Sequence, residues 1–235
     1  MSCRCPRVVS VPTARPRRED YSESTRQALV DSAVALFTKQ GYAATSLDAI
    51  ARRARVTKGA LYHHFSGKQA VFEAAFGAVE RAVLAKLGQV VAGPGTPWDR
   101  AVSGLQAYVQ VCLEPSYQRI AIHEGPVVMG WERWREAEEH FSFGLVKGAV
   151  EALVEAGEID DLPVEVTARI LFGALQTGAA IIAGADDPRK AGTDVSRTII
   201  RVLEGMRVAG HDGGAPTGNA QPAQPAASLL RKLRG

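Results

Sequence analysis

The sequence predicts an all-α fold. Apolar residues recur at three- and four-residue spacing through most of the chain, and the alternating β-branched runs that mark strands are absent. Glycine, proline and Ser/Thr/Asp residues then punctuate the helical pattern at regular intervals. With 235 residues, 46% of them hydrophobic, the chain can bury a sizeable core and hold one or two domains.

Residues 1–21 carry Pro, Arg and Ser without periodicity and read as a disordered basic arm. Ser24 and Gln27 have capping-box spacing, so a first helix is expected from there, with Leu29, Ala33, Leu36 and Phe37 on one face and Gly41 as its stop. Ser46, an N-cap type residue with Asp48 in the following turn, opens a short second helix through Ile50, Ala51 and Ala54. A third helix starts after Thr57. Only Arg55-Val56 lies between the two, the tight connection of a helix-turn-helix, with Val56 available to plug the angle.

Leu61 and Phe65 face inward with Val56, which leaves Lys58, Gly59, Ala60, Tyr62, His63 and His64 on the outer face. Lys58 can donate to guanine O6 or N7, and Gly59 and Ala60 permit close approach to a thymine methyl. Tyr62, His63 and His64 can donate to phosphate oxygens, which set register without reading sequence. This face reads as a contact surface for double-stranded DNA.

Ser66 and Gln69 form a second expected capping box, opening a fourth helix at Gly67-Lys68 that runs to about Val91. Ala92-Gly93-Pro94-Gly95 ends it, and Thr96-Pro97-Trp98-Asp99 starts a fifth, closed at Glu114-Pro115. A short helix from Ser116 to about Glu124 is expected to break at Gly125-Pro126. A long one should run from Trp131 to Ala156, closed by Gly157. Pro163 opens the next, in which small residues such as Gly178 allow close helix approach, and Asp187-Pro188 precedes a last helix through Val195, Ile199, Val202 and Leu203. Residues 210–235 are rich in Gly, Pro, Ala and Gln and read as a flexible tail.

Charge is unevenly placed. Residues 1–70 hold 12 Lys/Arg against 5 Asp/Glu and the remainder 16 against 20, so the basic part coincides with the helix-turn-helix. Arg52, Arg53, Arg55, Lys58 and Lys68 keep that bias outside the arm. Three cysteines, Cys3, Cys5 and Cys112, make no disulfide framework and suit a cytoplasmic location. No second Cys/His pair gives Cys3 and Cys5 a zinc-finger spacing, so no metal or other cofactor is expected. The run Val8 to Val11 is too short for a signal peptide. The uncharged stretch Ile170 to Ala185 falls short of the ~20 residues of a membrane span and reads as a core or interface helix, so no membrane partner is expected.

The segment from Thr25 to about Phe76 resembles the N-terminal domain of the TetR family of bacterial transcriptional regulators (TetR/AcrR type). The resemblance rests on T-R-x-x-L-x-x-x-A-x-x-L-F (Thr25 to Phe37), Gly41-Tyr42, Thr45-Ser46, Ile50-Ala51 and V-T-K-G-A-L-Y-H-H-F-x-x-K (Val56 to Lys68). Arg55 departs from the pattern, which has Gly at the left-handed turn position. The resemblance implies a three-helix helix-turn-helix DNA-binding domain (22–67), joined by a fourth helix to an α-helical ligand-binding and dimerisation domain (68–209). It adds Tyr42 and Thr45 as phosphate contacts, so the expected DNA-binding set is Tyr42, Thr45, Ser46, Arg55, Thr57, Lys58, Gly59, Ala60, Tyr62, His63, His64 and Lys68.

It also implies a homodimer through the last two helices, and a repressor released from a palindromic operator when a small molecule enters a pocket among the central helices. Tyr108, Cys112, Tyr117, His123, Trp131, Trp134, His140, Phe141 and Gln176 are the expected pocket wall, suited to an apolar or aromatic effector. An activator or a ligand-independent regulator fits the same resemblance. An enzyme is not expected, because no nucleophile-base-orienter set, phosphate loop or metal motif is present in the sequence.

Overall fold

The computed structural model describes residues 18–208, and all its regular elements are helices apart from one isolated antiparallel bridge between Ile159 and Arg207. The expected tail, nearly all of the expected arm, and Cys3 and Cys5 lie outside the described residues.

Helix α1 (Arg18–Ala44) begins earlier than the capping pattern implied. Ser24 and Gln27 do not cap it: Gln27 Nε2 donates to Asp31, and Thr25 Oγ1 donates back to the Tyr21 carbonyl, as hydroxyls do inside a helix rather than at its start. Leu29, Val30, Ala33 and Phe37 are its buried face. Gly41 breaks its regularity at φ 82°, ψ 170°. A side chain at that φ would be strained, and a Cβ there would also lie 2.6 Å from Glu124 Oε1.

Helix α2 (Leu47–Ala54) is capped by Ser46, whose Oγ accepts from the Ala49 N–H, and ends at Arg55 in the left-handed region (φ 58°, ψ 36°). The Arg55 N–H satisfies the Arg52 carbonyl and the Val56 N–H that of Ala51, so the two-residue turn leaves few orphan carbonyls. Helix α3 (Lys58–His64) is capped by Thr57, whose Oγ1 accepts from the Ala60 N–H. Leu61 and Phe65 are buried in one core with Leu29, Phe37, Ile50 and Phe72, and Val56 packs on that core.

Helix α4 (Lys68–Val91) joins two halves of the molecule. Val71, Phe72, Ala75 and Phe76 belong to the core beneath the helix-turn-helix, while Val83 and Leu87 belong to the core beyond it. The expected Ser66–Gln69 capping box is not formed: extended Gly67 is the cap, and Gln69 Nε2 turns to Glu73 instead. Lys68 reaches back across the domain, donating to the Ala43 carbonyl at 3.2 Å and lying 4.3 Å from the Tyr42 ring centre.

Helix α5 (Pro97–Cys112) starts where expected and closes a capping box there, Thr96 and Asp99 each accepting from the other's backbone N–H. The next segment departs from expectation. A π-helix, π1 (Tyr117–Glu124), runs directly into α6 (Gly125–Met129), and the chain turns at Gly130 (φ 83°, ψ 149°), not at Gly125-Pro126. Pro126 falls in the first turn of α6, where its missing N–H costs little. Gly125 is required there because a Cβ would come within 2.7 Å of the Trp134 indole. Helix α7 (Trp131–Glu138), a second π-turn, π2 (Glu139–Phe143), and α8 (Gly144–Glu155) form the expected long helix, with Gly157 at φ 65° after it.

Helices α9 (Val164–Gly184) and α10 (Pro188–Glu204) pack together at Gly178, where a Cβ would lie 2.7 Å from Val195. The 21 residues of α9, with a mean hydropathy of 1.5 over its most apolar window, are long and apolar enough to cross a membrane by length and composition alone. The uncharged stretch Ile170 to Ala185 lies largely within this helix, which Val164–Arg169 extend at its start. Here α9 packs on α8 and α10 along one side and leaves Val166, Ile170 and Ile181 exposed along the other.

Candidate DNA interface and regulatory cavity

The outer face of the helix-turn-helix is assembled by two capped helices set by a two-residue turn. Thr57, Lys58, Gly59, Tyr62 and His63 are exposed on α3, with Ala60 and His64 half-buried beside them. Ser46 and Arg55 are exposed at the two ends of α2, and Arg52 and Arg53 extend the basic surface. Lys58 Nζ pairs with Asp48 at 3.0 Å, and the bond holds the ammonium above its ordinary pKa. Both groups are exposed, so the pair is cheap to exchange for a base edge.

Tyr42 and Lys68 sit at one margin of this face. The Tyr42 ring packs edge-on to Phe72, with 5.3 Å between ring centres, and tilted over Phe37. Thr45 is a correction to the expected contact set: it is 1% exposed, its hydroxyl donating to the Gly41 carbonyl at 2.7 Å while accepting from Gln40. It braces the break in α1 and does not face outward.

That break also joins the two halves. Glu124, on the last turn of π1, accepts the Tyr42 N–H with both carboxylate oxygens, at 2.9 and 3.0 Å. Gly41 is what lets Glu124 approach.

A second site lies in the larger half. A cavity of about 110 Å³ is lined by Leu87 and Val91 of α4, Leu105 and Tyr108 of α5, Tyr117 of π1, Glu138 and Ser142 of the long helix, and apolar residues of α8, α9 and α10. Its wall is almost wholly hydrocarbon except at the end formed by Tyr108, Tyr117, Glu138 and Ser142. Tyr108 and Tyr117 meet edge to face with centres 6.3 Å apart, and burial pushes both hydroxyls well above the usual phenol range. Beside Tyr108, burial pushes the Cys112 thiol up to about 12, so it stays protonated and unreactive.

Of the nine residues expected in the wall, Tyr108 and Tyr117 line the cavity, while Cys112 and Gln176 stand behind it. His123, Trp131 and His140 are exposed on the far side of their helices, a second correction. Trp134 is also elsewhere, donating its indole N–H to the Ala121 carbonyl at 2.9 Å and packing on Gly125. Phe141 is half-buried against α4 near Gly77.

Sequence reading missed Glu80 and Glu138, which are 0% and 4% exposed. Glu80 was visible in principle: it falls on the apolar stripe Phe72, Phe76, Val83 and Leu87 of α4, where a charge is out of place.

Comparison with known proteins places both halves. The family model described as "Bacterial regulatory proteins, tetR family" matches residues 29–75, and that described as "Tetracyclin repressor-like, C-terminal domain" matches residues 98–206. The transposon Tn10 TetC protein of Escherichia coli is 28% identical over 160 residues, covering 66% of this chain and 79% of TetC. A crystal structure of a TetR-family transcriptional regulator from Pectobacterium atrosepticum superposes with a TM-score of 0.73 at 26% identity, covering 83% of this chain and 98% of the other. RolR, solved in complex with its ligand resorcinol, shares the fold with a TM-score of 0.62 at 19% identity, over 79% of this chain and 90% of RolR.

Proposed function

This chain belongs to the TetR family of transcriptional regulators, and from that premise we propose that it is a repressor that binds a palindromic operator as a homodimer and is released by a small-molecule effector held in the cavity. The observation that carries the proposal is the path of α4. One helix has Phe72 and Phe76 in the core under the DNA-reading face and Leu87 and Val91 in the cavity wall. A ligand that enlarges the cavity displaces the far end of that helix and, with it, the domain packed on its near end. RolR, of the same fold, binds resorcinol, which supports an aromatic occupant for a cavity of this kind.

On DNA, α3 enters the major groove with Lys58, Gly59 and Ala60 toward the bases. Tyr62, His63 and Thr57 meet phosphate, with Ser46, Arg55, Tyr42 and Lys68 at the margins. The exposed apolar residues of α9 and α10, Val166, Ile170, Ile181 and Val202, supply the face through which two copies associate. A two-fold dimer carries two reading helices, so its operator contains two inverted half-sites. The protein acts in the cytoplasm, without cofactor and without catalysis.

The test is a pair of substitutions assayed on a duplex selected by the protein from a random pool. Lys58→Ala should relax base preference at one position of each half-site, at a cost of about 1–3 kcal/mol. Tyr62→Ala should weaken selected and scrambled duplexes alike. Unchanged binding in both variants would refute the assignment of this face.

A further inference from the structure

The polar end of the cavity has an unusual composition. Glu138 lines it, and Glu80, fully buried on α4, faces Glu138 from behind. The other groups turned toward the pair are the Ser142 hydroxyl of π2, the Gln176 amide of α9, the Tyr108 hydroxyl and Cys112 thiol of α5, and the Tyr117 hydroxyl of π1. None of these is a cation, and among the described residues no ion pair includes either carboxylate. As carboxylates, both Glu80 oxygens lack a hydrogen-bond donor, and Gln176 Nε2 is likewise unpartnered.

Two buried carboxyls side by side are costly, and a pair of apolar residues would fill the same space at lower cost. The site relieves itself by keeping protons. Burial, then the neighbouring Glu138, pushes Glu80 well above the usual carboxylate range, and burial pushes Glu138 up to about 7. A proton held on Glu80 turns one orphan oxygen into a donor toward Glu138. What the pair still lacks is positive charge, and the cavity opens beside it.

We propose that the cavity takes a small organic cation, an amine or amidine on an aromatic or alicyclic body, whose charged head pairs with Glu138, backed by the second carboxyl of Glu80, while its body lies against Leu87, Leu105, Leu145 and Leu171. The volume is of the order of the ~150 Å³ engineered cavity that accepts benzene, so the occupant is of single-ring size. The inference rests on the reading of this cavity as the effector site and supplies the chemical class of the effector. Binding exchanges a proton for the cation: the carboxyl O–H bond breaks, the proton leaves to solvent, and the carboxylate accepts the ligand's N–H groups. Affinity therefore rises with pH, by about tenfold per unit while one proton is released per ligand.

Benzamidine tests this, because its amidinium stays charged between pH 6 and 8, and benzamide and benzoate present the same ring with a neutral and a negative head. Calorimetry on the full chain without DNA, in buffers of different ionisation enthalpy, should show benzamidine binding at least about tenfold tighter than benzamide. Benzoate should bind weakest, and protons should be released with benzamidine alone. Glu138→Gln and Glu80→Gln should each remove that preference and its pH dependence while retaining operator binding and a cooperative melt. Equal or better binding of benzamide or benzoate, the absence of proton release, or no binding of any of the three would overturn the proposal. Operator release separates the two readings: cation binding that leaves the operator occupied refutes the effector role and keeps the cation site, whereas release by neutral compounds with no cation preference does the reverse.

Discussion

Glu138 shows how one side chain can set the pH response of a fold. In the unfolded chain its carboxyl titrates near ~4.3, and in the folded chain burial raises it to about 7. Between those values the folded state holds a proton that the unfolded state has released. Its contribution to stability is therefore fully present below about pH 4 and is lost as pH rises toward 7; Glu80, raised further in the same direction, extends the loss upward. Glu138→Gln keeps the shape and removes the titration. Its melting temperature should fall less than the parent's from pH 5 to pH 8, and should exceed the parent's at pH 8. Parallel melting profiles for the two would contradict the buried protonated pair.

The same scale shows what could be read without coordinates. Gly41, Ser46, Thr57 and Thr96 were legible because each does a local job: breaking or capping a helix depends on a few neighbouring residues. Arg55 was legible as a departure, and it does adopt the left-handed conformation where glycine is at ease. Ser24 and Ser66 carried the same cap chemistry and are not used, since α1 continues upstream of one and an extended glycine follows the other.

At the scale of elements, the aromatic residues of the long helix were the hardest to place. A tryptophan or histidine at helical spacing is compatible with either face, and the π-turns shift the register after Tyr117 and again after Glu139. Trp131 and His140 point to solvent, while Glu138 and Ser142 point to the cavity. Nor could spacing reveal the contact between Glu124 and Tyr42, which are 82 residues apart in sequence.

That contact makes π1 a second connection, beside α4, between the cavity and the reading face, because Tyr117 lines the cavity at one end of π1 and Glu124 grips α1 at the other. Glu124→Ala should lower the melting temperature by a few degrees, since a hydrogen bond to a charged group contributes about 1.5–3 kcal/mol and a chain of this size shifts by roughly 2–4 °C per kcal/mol. It should also diminish the loss of operator affinity caused by a bound ligand, measured by fluorescence anisotropy with and without that ligand. A variant with unaltered stability and unaltered ligand response would remove π1 from the coupling.

At the scale of the whole molecule, three features stand together: the basic outer face of the helix-turn-helix, an apolar face along α9 and α10, and a cavity among the central helices. Fold class was legible from periodicity because nearly every helix here buries one side only, and the helix-turn-helix because its turn and second helix are contiguous from Arg55 to His64. The cavity is built by residues from eight helical segments, α4, α5, π1, α7, π2, α8, α9 and α10, and no linear spacing records such a convergence. Most of the exposed apolar face follows from α9, whose hydrophobic residues nearly encircle it and exceed what α8 and α10 cover, and α10 adds Val202.

The central claim is that this chain recognises a particular duplex as a pair of copies. The most direct measurement is a titration of the purified protein onto labelled DNA from immediately upstream of its own gene, against a scrambled duplex, across a salt series with the mass of the complex recorded. The account predicts preferential binding of the native duplex by two copies of the chain, with affinity falling steeply as salt rises because phosphate contacts release counterions. Binding to neither duplex at low salt, or binding of one copy with no loss in salt, would contradict it.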